Sequence, residues 1–462
     1  MTTTLAAAIA FAVTAFVPQV LSDGDTFLHI AAGMRMLADH AILFRDPFSY
    51  TFAGARWDAH EWLAEIAMAL AFKSGGWSGL LFLFACAAGL SAGILAHALG
   101  KRMNWRMQAM IALLAMGCMT GSLLARPHLL ALPLLALWTA VLVGARAQKR
   151  TPPVWLLPVM CIWANIHGSF LVGFAVAGGL GLEAVIEDRR AWRGWALFGA
   201  GTLAAALANP HFIGGVIFPF SLMATPALAN VGEWQATGVS LFQPIVPVSL
   251  LAVYWMATRR VRISPVRAAM LAALLAMALM HARHQIVFAM VAPLLLAQPL
   301  ANGEVRMAAR PALAMAAMLL AVLGAARLAL PLTRGDAAVA PITALAHVPA
   351  SLRAAPVLND YSFGGYLIFA GVKPFIDSRA ELYGEAALER YAALIRPDAK
   401  TLTATLARYD IRWSILSPSS PMVGELDARP GWHRLYADRF AVVQIRDSAP
   451  GDKLSELLRH RP

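Results

Sequence analysis

Two aspartates, Asp23 and Asp25, stand in the sequence SDGDTFLHIAAGM at residues 22–34, directly after an apolar run that begins at Leu5. Carboxylates are bases and hard oxygen ligands, so this pair can take a proton from a hydroxyl or hold Mg²⁺ or Mn²⁺. A structural role for Asp23 is equally open, because its side chain can cap the helix expected from Thr26. Asp25 is therefore the stronger candidate for catalysis.

A second acidic group follows in WDAHEW, which places Asp58, His60 and Glu61 between two tryptophans. The tryptophans suit a membrane interface. His60 and Glu61 are adjacent, so they do not form the zinc pair of an HExxH helix. We expect Glu61 to be catalytic and Asp58 and His60 to bind substrate; a capped, solvated helix start is the alternative.

Cationic side chains occur in two further short segments, as Arg126 and His128 in ARPH and as Arg283 and His284 in HARH. The planar guanidinium binds two phosphate oxygens at once, and histidine adds a donor that titrates near neutral pH. These residues predict a site for an anionic lipid head group. Snorkelling to ordinary phospholipids is the alternative.

The remaining polar candidates lie where apolar runs meet. They are Asn165, His167, Asn209, His211 and Glu233. Each Asn–His pair suits a turn as well as recognition of a substrate hydroxyl, and the turn is the favoured interpretation. Glu233 precedes a tryptophan and follows a hydrophobic loop at 212–231; a carboxylate beside an aromatic ring suits a sugar.

The composition indicates the class of protein to which these candidate residues belong. Of the 462 residues, 59% are hydrophobic and 14% are charged, far from the usage of soluble proteins. The formal net charge of +12 is spread over short loops, which encodes topology and does not predict nucleic-acid binding. The three cysteines lie in apolar runs and predict neither disulfides nor a zinc site.

Eleven apolar runs predict a multi-pass membrane protein. They lie near 5–21, 77–99, 107–124, 129–145, 153–166, 169–186, 195–208, 244–258, 268–280, 284–299 and 311–331. Five basic loops between them then fall on one side, the cytoplasm, together with the N-terminus. The start MTTT lacks the basic residues of a signal peptide, so an uncleaved first helix is expected. Residues 61–76 are too short to span and predict a juxtamembrane or re-entrant helix.

From about Arg334 the composition becomes that of a soluble α/β domain. The predicted domains are therefore a membrane domain at 1–333 and an α/β domain at 334–462. The catalytic first outer loop is expected at 22–61, within the membrane domain. The predicted strands are APVLND, KPFIDS, RWSILS and FAVVQIR, with helices between them. Asp377 and Arg379 follow a predicted strand, where an open α/β sheet binds ligands. Internal salt bridges are an equally open interpretation.

These features together resemble the GT-C superfamily of integral-membrane glycosyltransferases over roughly residues 5–331. The resemblance rests on DGDTFLHIAAGM, DPFSYTFAGARWDAHEWL and the outer-loop pattern, and the tail is similar to that of a poorly characterised bacterial branch. It implies an all-α polytopic membrane domain of about eleven transmembrane helices plus juxtamembrane helices. A C-terminal extracytoplasmic α/β domain would lie in the periplasm, outside the bacterial inner membrane.

The resemblance also implies a reaction. The donor would be a sugar on a polyprenyl phosphate, and the acceptor a glycan, lipid or protein. Asp25 would be the base, and Asp23 its partner or the ligand of a divalent cation. The cationic residues would hold the departing phosphate during an inverting displacement.

Two other classes of function stay open at this stage. A transporter or flippase needs polar or broken helices near the membrane midplane, whereas the charges here lie mostly at helix ends. A non-catalytic scaffold that presents the C-terminal domain predicts tolerance of substitution at Asp25, Arg126 and His284.

Overall fold

The computed structural model describes residues 2–223, 238, 240, 242–301, 310–396 and 399–447. Contacts divide the chain into two compact units. The helical unit comprises the described residues of 1–21, 60–224 and 228–332, and the sheet unit those of 22–59 and 333–462. Most of the first outer loop, which the sequence analysis assigned to the membrane domain, thus groups with the C-terminal residues.

The described part of the chain is mostly helical. Its helices are α1 Thr2–Phe16, α2 Asp25–Asp39, α3 Trp62–Gly100, α4 Trp105–Met119, α5 Pro127–Ala147, α6 Leu157–Ala164, α7 Phe170–Glu187, α8 Trp192–Leu207, α9 Ile213–Met223, α10 Ile245–Thr258, α11 Pro265–Met280, α12 Gln285–Leu296, α13 Arg310–Ala329, α14 Ile342–Ala346, α15 Ala350–Arg353, α16 Gly364–Phe369, α17 Ala380–Leu394, α18 Ala399–Arg408 and α19 Pro421–Asp427.

The helices of the helical unit coincide with the apolar runs of the sequence. For example, α5 covers the run predicted at 129–145, with Pro127 in its first turn and Arg146 in its last. Helix α3 contains a break at Gly75 and Gly76, where φ of Gly76 is 56°. This break lies at the end of the juxtamembrane helix predicted at 61–76. The hydrophobic loop expected at 212–231 instead begins with α9.

Three of the described helices, α3, α5 and α7, are long and apolar enough to cross a membrane. The shorter apolar segments found among the described residues, such as Ala317–Ala329 within α13, have 10–17 residues, fewer than the ~20 that span about 30 Å of hydrocarbon. The apolar helices fit a membrane protein, and the number of eleven spans stays a prediction.

The directions of three packed helices, α5, α7 and α11, define two ends of the helical unit. Arg146 at the end of α5, Glu187 at the end of α7 and Arg267 at the start of α11 belong to one charged cluster. Helices α5 and α7 therefore run in one direction and α11 in the other. We call this end the arginine end, and the opposite end, where α5 and α7 begin and α11 finishes, the histidine end.

The sheet unit contains four strands, β1 Val357–Asn359, β2 Trp413–Leu416, β3 Trp432–Ala437 and β4 Val442–Arg446. Their order is β1-β2-β4-β3, with β1 and β2 parallel and the other two pairs antiparallel. With helices between strands, this is the small α/β arrangement that the sequence predicts. Its extracytoplasmic position stays a prediction.

One predicted strand, KPFIDS at 373–378, is wrong. The backbone there bonds to a side chain instead of a neighbouring strand: Phe375 N–H donates to Asn359 Oδ1 at 2.7 Å, and the Asn359 amide donates to Ile376 O at 2.8 Å. Residues 375 and 376 are apolar and Ile376 is buried, which resembles a strand in sequence, but Asn359 bonds to the Phe375 N–H and the Ile376 carbonyl.

Candidate active site

A carboxylate lies close to two imidazoles at the histidine end. Glu61 Oε1 is 3.6 Å from His167 Nε2 and 3.8 Å from His60 Nε2. The side chains of Glu61 and His167 are 13% and 15% exposed. We call Glu61, His60 and His167 the histidine–glutamate cluster. The side chains of all three residues are partly open to solvent, at 13–24% exposure.

A third imidazole, His128, lies beside this cluster. Its ring centroid is 6.1 Å from that of His167, and its Nε2 lies 2.8 Å from Ser122 O. The hydrogen bond fixes the ring in the first turn of α5, two residues after the half-buried Arg126. The structure thus brings together His60, Glu61, His128 and His167, which sequence reasoning had found as separate segments.

Asn165 holds the helix ends around this cluster. Its Oδ1 accepts from Trp62 Nε1 at 2.8 Å, and its amide donates to Cys161 O at 2.8 Å and Ala208 O at 3.0 Å. Only 5% of Asn165 is exposed. These contacts join the start of α3 and the ends of α6 and α8, which favours the turn interpretation.

Asn209 and His211 form a second turn in the same region. Asn209 Oδ1 accepts from His211 N at 2.8 Å, and its amide donates to Ala206 O at 2.8 Å and Phe212 O at 3.1 Å. The Asn209 side chain therefore serves the turn around Pro210. His211 lines the neighbouring pocket and can still contact a ligand.

A small pocket connects these turns. Its polar lining comes from His60, Trp62, Asn165, Asn209 and His211. His60 also lies against the Phe218 ring of α9, with centroids 4.1 Å apart. A more apolar depression next to it is lined by Trp62, Cys161, Ile162 and Phe212. Polar and apolar surfaces therefore adjoin at the histidine end.

Arg283 and His284 lie in the short turn between α11 and α12, also at the histidine end. The rings of His281 and His284 are 5.4 Å apart. The turn thus carries two imidazoles and a guanidinium. Glu233, the last polar candidate, lies outside the described residues.

In the sheet unit, Asp23 does what the capping interpretation predicts. Its Oδ1 accepts from the backbone N–H of Asp25 at 2.7 Å. Asp25 is the first residue of α2, so Asp23 satisfies the first amide of that helix, and the Asp25 charge complements the helix dipole. Asp25 is half-buried.

The glycine between the two aspartates permits a close backbone approach. A Cβ at Gly24 would lie 2.9 Å from Ser362 O, and a Cβ at Gly365 would lie 2.4 Å from Gly24 O. Helix α2 also packs against α16, which begins at Gly364. The start of α2 is therefore fixed by the segment NDYSFGGYLIF of the same unit.

Asp377 and Arg379 belong to a group that we call the buried ion network, Asp46, Asp377, Arg379 and Tyr383. Arg379 Nη1 donates to Asp46 Oδ1 and Nη2 to Asp377 Oδ2, both at 2.7 Å, with the two carboxylates 0% exposed. The Tyr383 hydroxyl donates to Asp377 at 2.6 Å. These contacts favour the internal-salt-bridge interpretation over substrate binding.

The network determines the protonation of its members. Burial raises the pKa of the Asp377 carboxyl, but the charge and hydrogen bonds of Arg379 outweigh it and hold that pKa below its usual range. Glu381, two residues after Arg379, is half-buried, and its carboxylate accepts a hydrogen bond from Trp57 Nε1 at 2.9 Å. Burial raises its pKa above the ordinary value, against the effect of this hydrogen bond. Asp58, by contrast, pairs with Arg56 at 3.1 Å on the surface.

Sequence reasoning missed Asp46 and the placement of Arg334. Asp46 meets Arg379 across 333 residues, and no local pattern signals such a pair. Arg334 lies over the Phe27 ring at 4.6 Å, and the charge of Asp23 raises its pKa against the larger effect of burial. A cation thus lies near the aspartate pair.

The described residues contain no group of three or more His, Cys, Asp or Glu side chains that could hold a metal ion. Asp23 is moreover engaged with a backbone amide. Binding of Mg²⁺ or Mn²⁺ stays a prediction, and no step of the mechanism below depends on it.

The fold of the chain is similar to that of three solved structures, in agreement with the fold that the resemblance implies. Two solved structures of ArnT from Cupriavidus metallidurans match it. The structure bound to undecaprenyl phosphate has a TM-score of 0.55 and 14% sequence identity, and the match covers 96% of this chain and 97% of the other. The apo structure has a TM-score of 0.54 and 15% sequence identity, and the match covers 96% of each chain.

A third structure with this fold is the oligosaccharyltransferase AglB from Archaeoglobus fulgidus, in complex with an inhibitory peptide and a dolichol-phosphate. Its TM-score is 0.52, with 11% identity over 90% of this chain and 69% of the other. No family model and no curated protein sequence matches the chain. At these identities the likeness establishes the fold. It gives no support to a scaffold or a transporter.

Proposed function

We propose that the chain is a membrane glycosyltransferase that moves a sugar from a polyprenyl-phosphate donor to an acceptor. The observation that carries this proposal is the fold, shared over 96% of the chain with an ArnT structure that holds undecaprenyl phosphate. The histidine end of the helical unit, with its titratable and cationic side chains, is the kind of surface that such a donor requires.

The proposed reaction is a single displacement. The acceptor oxygen forms a bond to the anomeric carbon while the bond from that carbon to the phosphate oxygen breaks, with inversion. Asp25 takes the acceptor proton, and Asp23 orders the backbone at the start of α2 through its bond to Asp25 N–H. Glu61, between two imidazoles, is the second acidic candidate for this role.

The leaving phosphate needs no proton if its charge is held. Arg126 and His128 at the start of α5, with Arg283 and His284 in the turn before α12, are the proposed donors. The apolar depression beside Asn165 supports a lipid substrate, because a polyprenyl chain buries apolar surface next to its phosphate. His60, His167 and His211 would contact the sugar.

The sidedness of the reaction is part of the proposal. The basic loops favour a cytoplasmic N-terminus, so the histidine end and the C-terminal domain would face the periplasm of a bacterial inner membrane. The acceptor would then be an extracytoplasmic glycan, lipid or protein.

The first test is binding of undecaprenyl phosphate to the purified full-length protein. Arg126→Gln and Arg283→Gln should each weaken binding about tenfold or more, since a lost charge-assisted hydrogen bond costs about 1.5–3 kcal/mol. Arg189→Gln, an exposed arginine between α7 and α8, is the matched control. Equal binding by all three variants would remove the assignment of the phosphate site.

The second test is catalysis. We expect Asp25→Asn to lower sugar transfer from undecaprenyl-phosphate sugars to a membrane extract by about 10²–10⁴-fold, the usual contribution of a general base. Undecaprenyl phosphate binding should persist. Full transfer activity of a purified Asp25→Asn protein would exclude Asp25 as the base.

A further inference from the structure

A charged cavity lies at the arginine end of the helical unit, the end opposite the histidine–glutamate cluster. It is formed by the ends of α5 and α7, the start of α11 and the residues after α12. Its charged lining consists of Arg146, Lys149, Glu183, Glu187, Arg262 and Arg267. Four cations against two carboxylates leave this lining with a net formal charge of +2.

The two carboxylates are already shared. Arg267 Nε lies 3.1 Å from Glu183, and Arg146 Nε lies 3.5 Å from the same carboxylate. Lys149 Nζ lies 2.8 Å from Glu187, which Arg146 also contacts. None of the ion pairs found among the described residues uses Arg262. The cavity therefore has more positive charge than its own acids neutralise.

A fifth cation adds to this excess. Arg102, in the loop after α3, has its pKa lowered first by burial and then by the nearby charge of Arg267. The guanidinium groups of Arg102 and Arg267 repel each other, and an anion between them would relieve this repulsion. Cationic side chains from several segments of the chain thus contribute to the positive charge at the cavity.

The buried arginines are fixed in orientation by their other contacts. Arg267 is 4% exposed and donates to Leu295 O at 3.0 Å, and Ser264 Oγ accepts its backbone N–H at 3.2 Å. Ser264 caps α11, so the positive N-terminal end of that helix faces the cavity that Ser264 lines, against the negative C-terminal ends of α5 and α7. Lys149 and Arg262, by contrast, are exposed and can close on a ligand.

We propose that this cavity binds a phosphate group, the chemistry shared by the head group of an anionic phospholipid and by inorganic phosphate. Guanidinium forks match phosphate oxygens, and basic pockets between helix ends suit anionic head groups. Glu183 and Glu187 keep Arg146 and Arg267 in place, and Lys149 pairs with Glu187; the exposed Arg262 is the lining cation that these glutamates leave for the ligand. This site does not depend on the proposed transferase function.

The test uses the full-length protein in an uncharged detergent. Binding of phosphatidylglycerol is measured with a labelled lipid, with phosphatidylethanolamine as the zwitterionic reference and inorganic phosphate as competitor. Lys149→Gln and Arg262→Gln should each weaken phosphatidylglycerol binding about fivefold, the effect of one cation near an anionic surface. Arg259→Gln, exposed in the same loop as Arg262 but outside the cavity lining, is the control.

Each result has a defined meaning. Loss of binding in the two cavity variants but not in Arg259→Gln supports the site. If inorganic phosphate then displaces the lipid, free phosphate is a ligand of the cavity. If inorganic phosphate does not displace the lipid, the ligand is the lipid head group. Equal Kd values for all three variants, or equally tight binding of phosphatidylethanolamine, would overturn the proposal.

Discussion

The buried ion network and the histidine–glutamate cluster use similar residue types for opposite purposes. In the network, carboxylate and guanidinium are 2.7 Å apart and at most 2% exposed. In the cluster, carboxylate and imidazole are 3.6–3.8 Å apart and partly open to solvent. The network contacts are short and closed to solvent, as those of a buried structural ion pair are, whereas the cluster contacts are longer and partly open. Under the proposed function, the cluster would contact a substrate.

The strongest test of this contrast is Arg379→Met. It would leave Asp46 and Asp377 buried without their cation, so we expect a loss of about 3–5 kcal/mol in the free energy of unfolding. Thermal unfolding and protease resistance of the full-length protein measure it. Arg434→Gln, which breaks the exposed pair with Asp427, should leave the unfolding midpoint unchanged. Similar midpoints for the two variants would contradict the structural role of the network.

A second test concerns the backbone contact that fixes the start of α2. In Gly365→Ala the new Cβ would lie 2.4 Å from Gly24 O, so the segments must separate. We expect destabilisation of about 1–3 kcal/mol, together with reduced sugar transfer because Asp25 shifts. Gly335→Ala is the control, because nothing lies within 4 Å of its Cβ position. Normal stability of Gly365→Ala would show that the contact yields without cost.

Glu61→Gln tests the open cluster. Because Glu61 is partly exposed and its contacts are long, the unfolding midpoint should not change. Under the proposed function, sugar transfer should fall at least about tenfold, which corresponds to ~1.4 kcal/mol. A parallel loss of stability and activity would instead place Glu61 among the structural groups.

The smallest expected effect concerns pH. Burial raises the pKa of Glu381 in the folded protein, so its contribution to stability is present below about pH 4.5 and is lost as the pH rises through the folded value. Glu381→Gln keeps an acceptor for Trp57 and removes this loss. We expect its unfolding midpoint to rise relative to wild type at pH 7.5 but not at pH 4, with Glu389→Gln, exposed on the same helix, unchanged.

The sequence predicted the local features of the fold and the candidates at the histidine end. Apolar runs located α5 and the break in α3, because long hydrophobic segments and paired glycines act within a few residues. The pairing of Asp46 with Arg379 depends on contacts 333 residues apart and has no local signal. The false strand at 373–378 arose because a single buried side chain, Asn359, replaces a neighbouring strand.

The separation of Asp46 from Arg379 along the chain has a consequence for biosynthesis. The ribosome makes Asp46 among the first tenth of the residues, whereas its partner emerges when about four fifths of the chain is complete. Until then the aspartate-bearing loop lacks its buried counter-ion, and non-local contacts of this kind form late. A nascent or prematurely terminated chain that lacks Arg379 would therefore contain both opening aspartates, while Asp46 would lack its buried counter-ion.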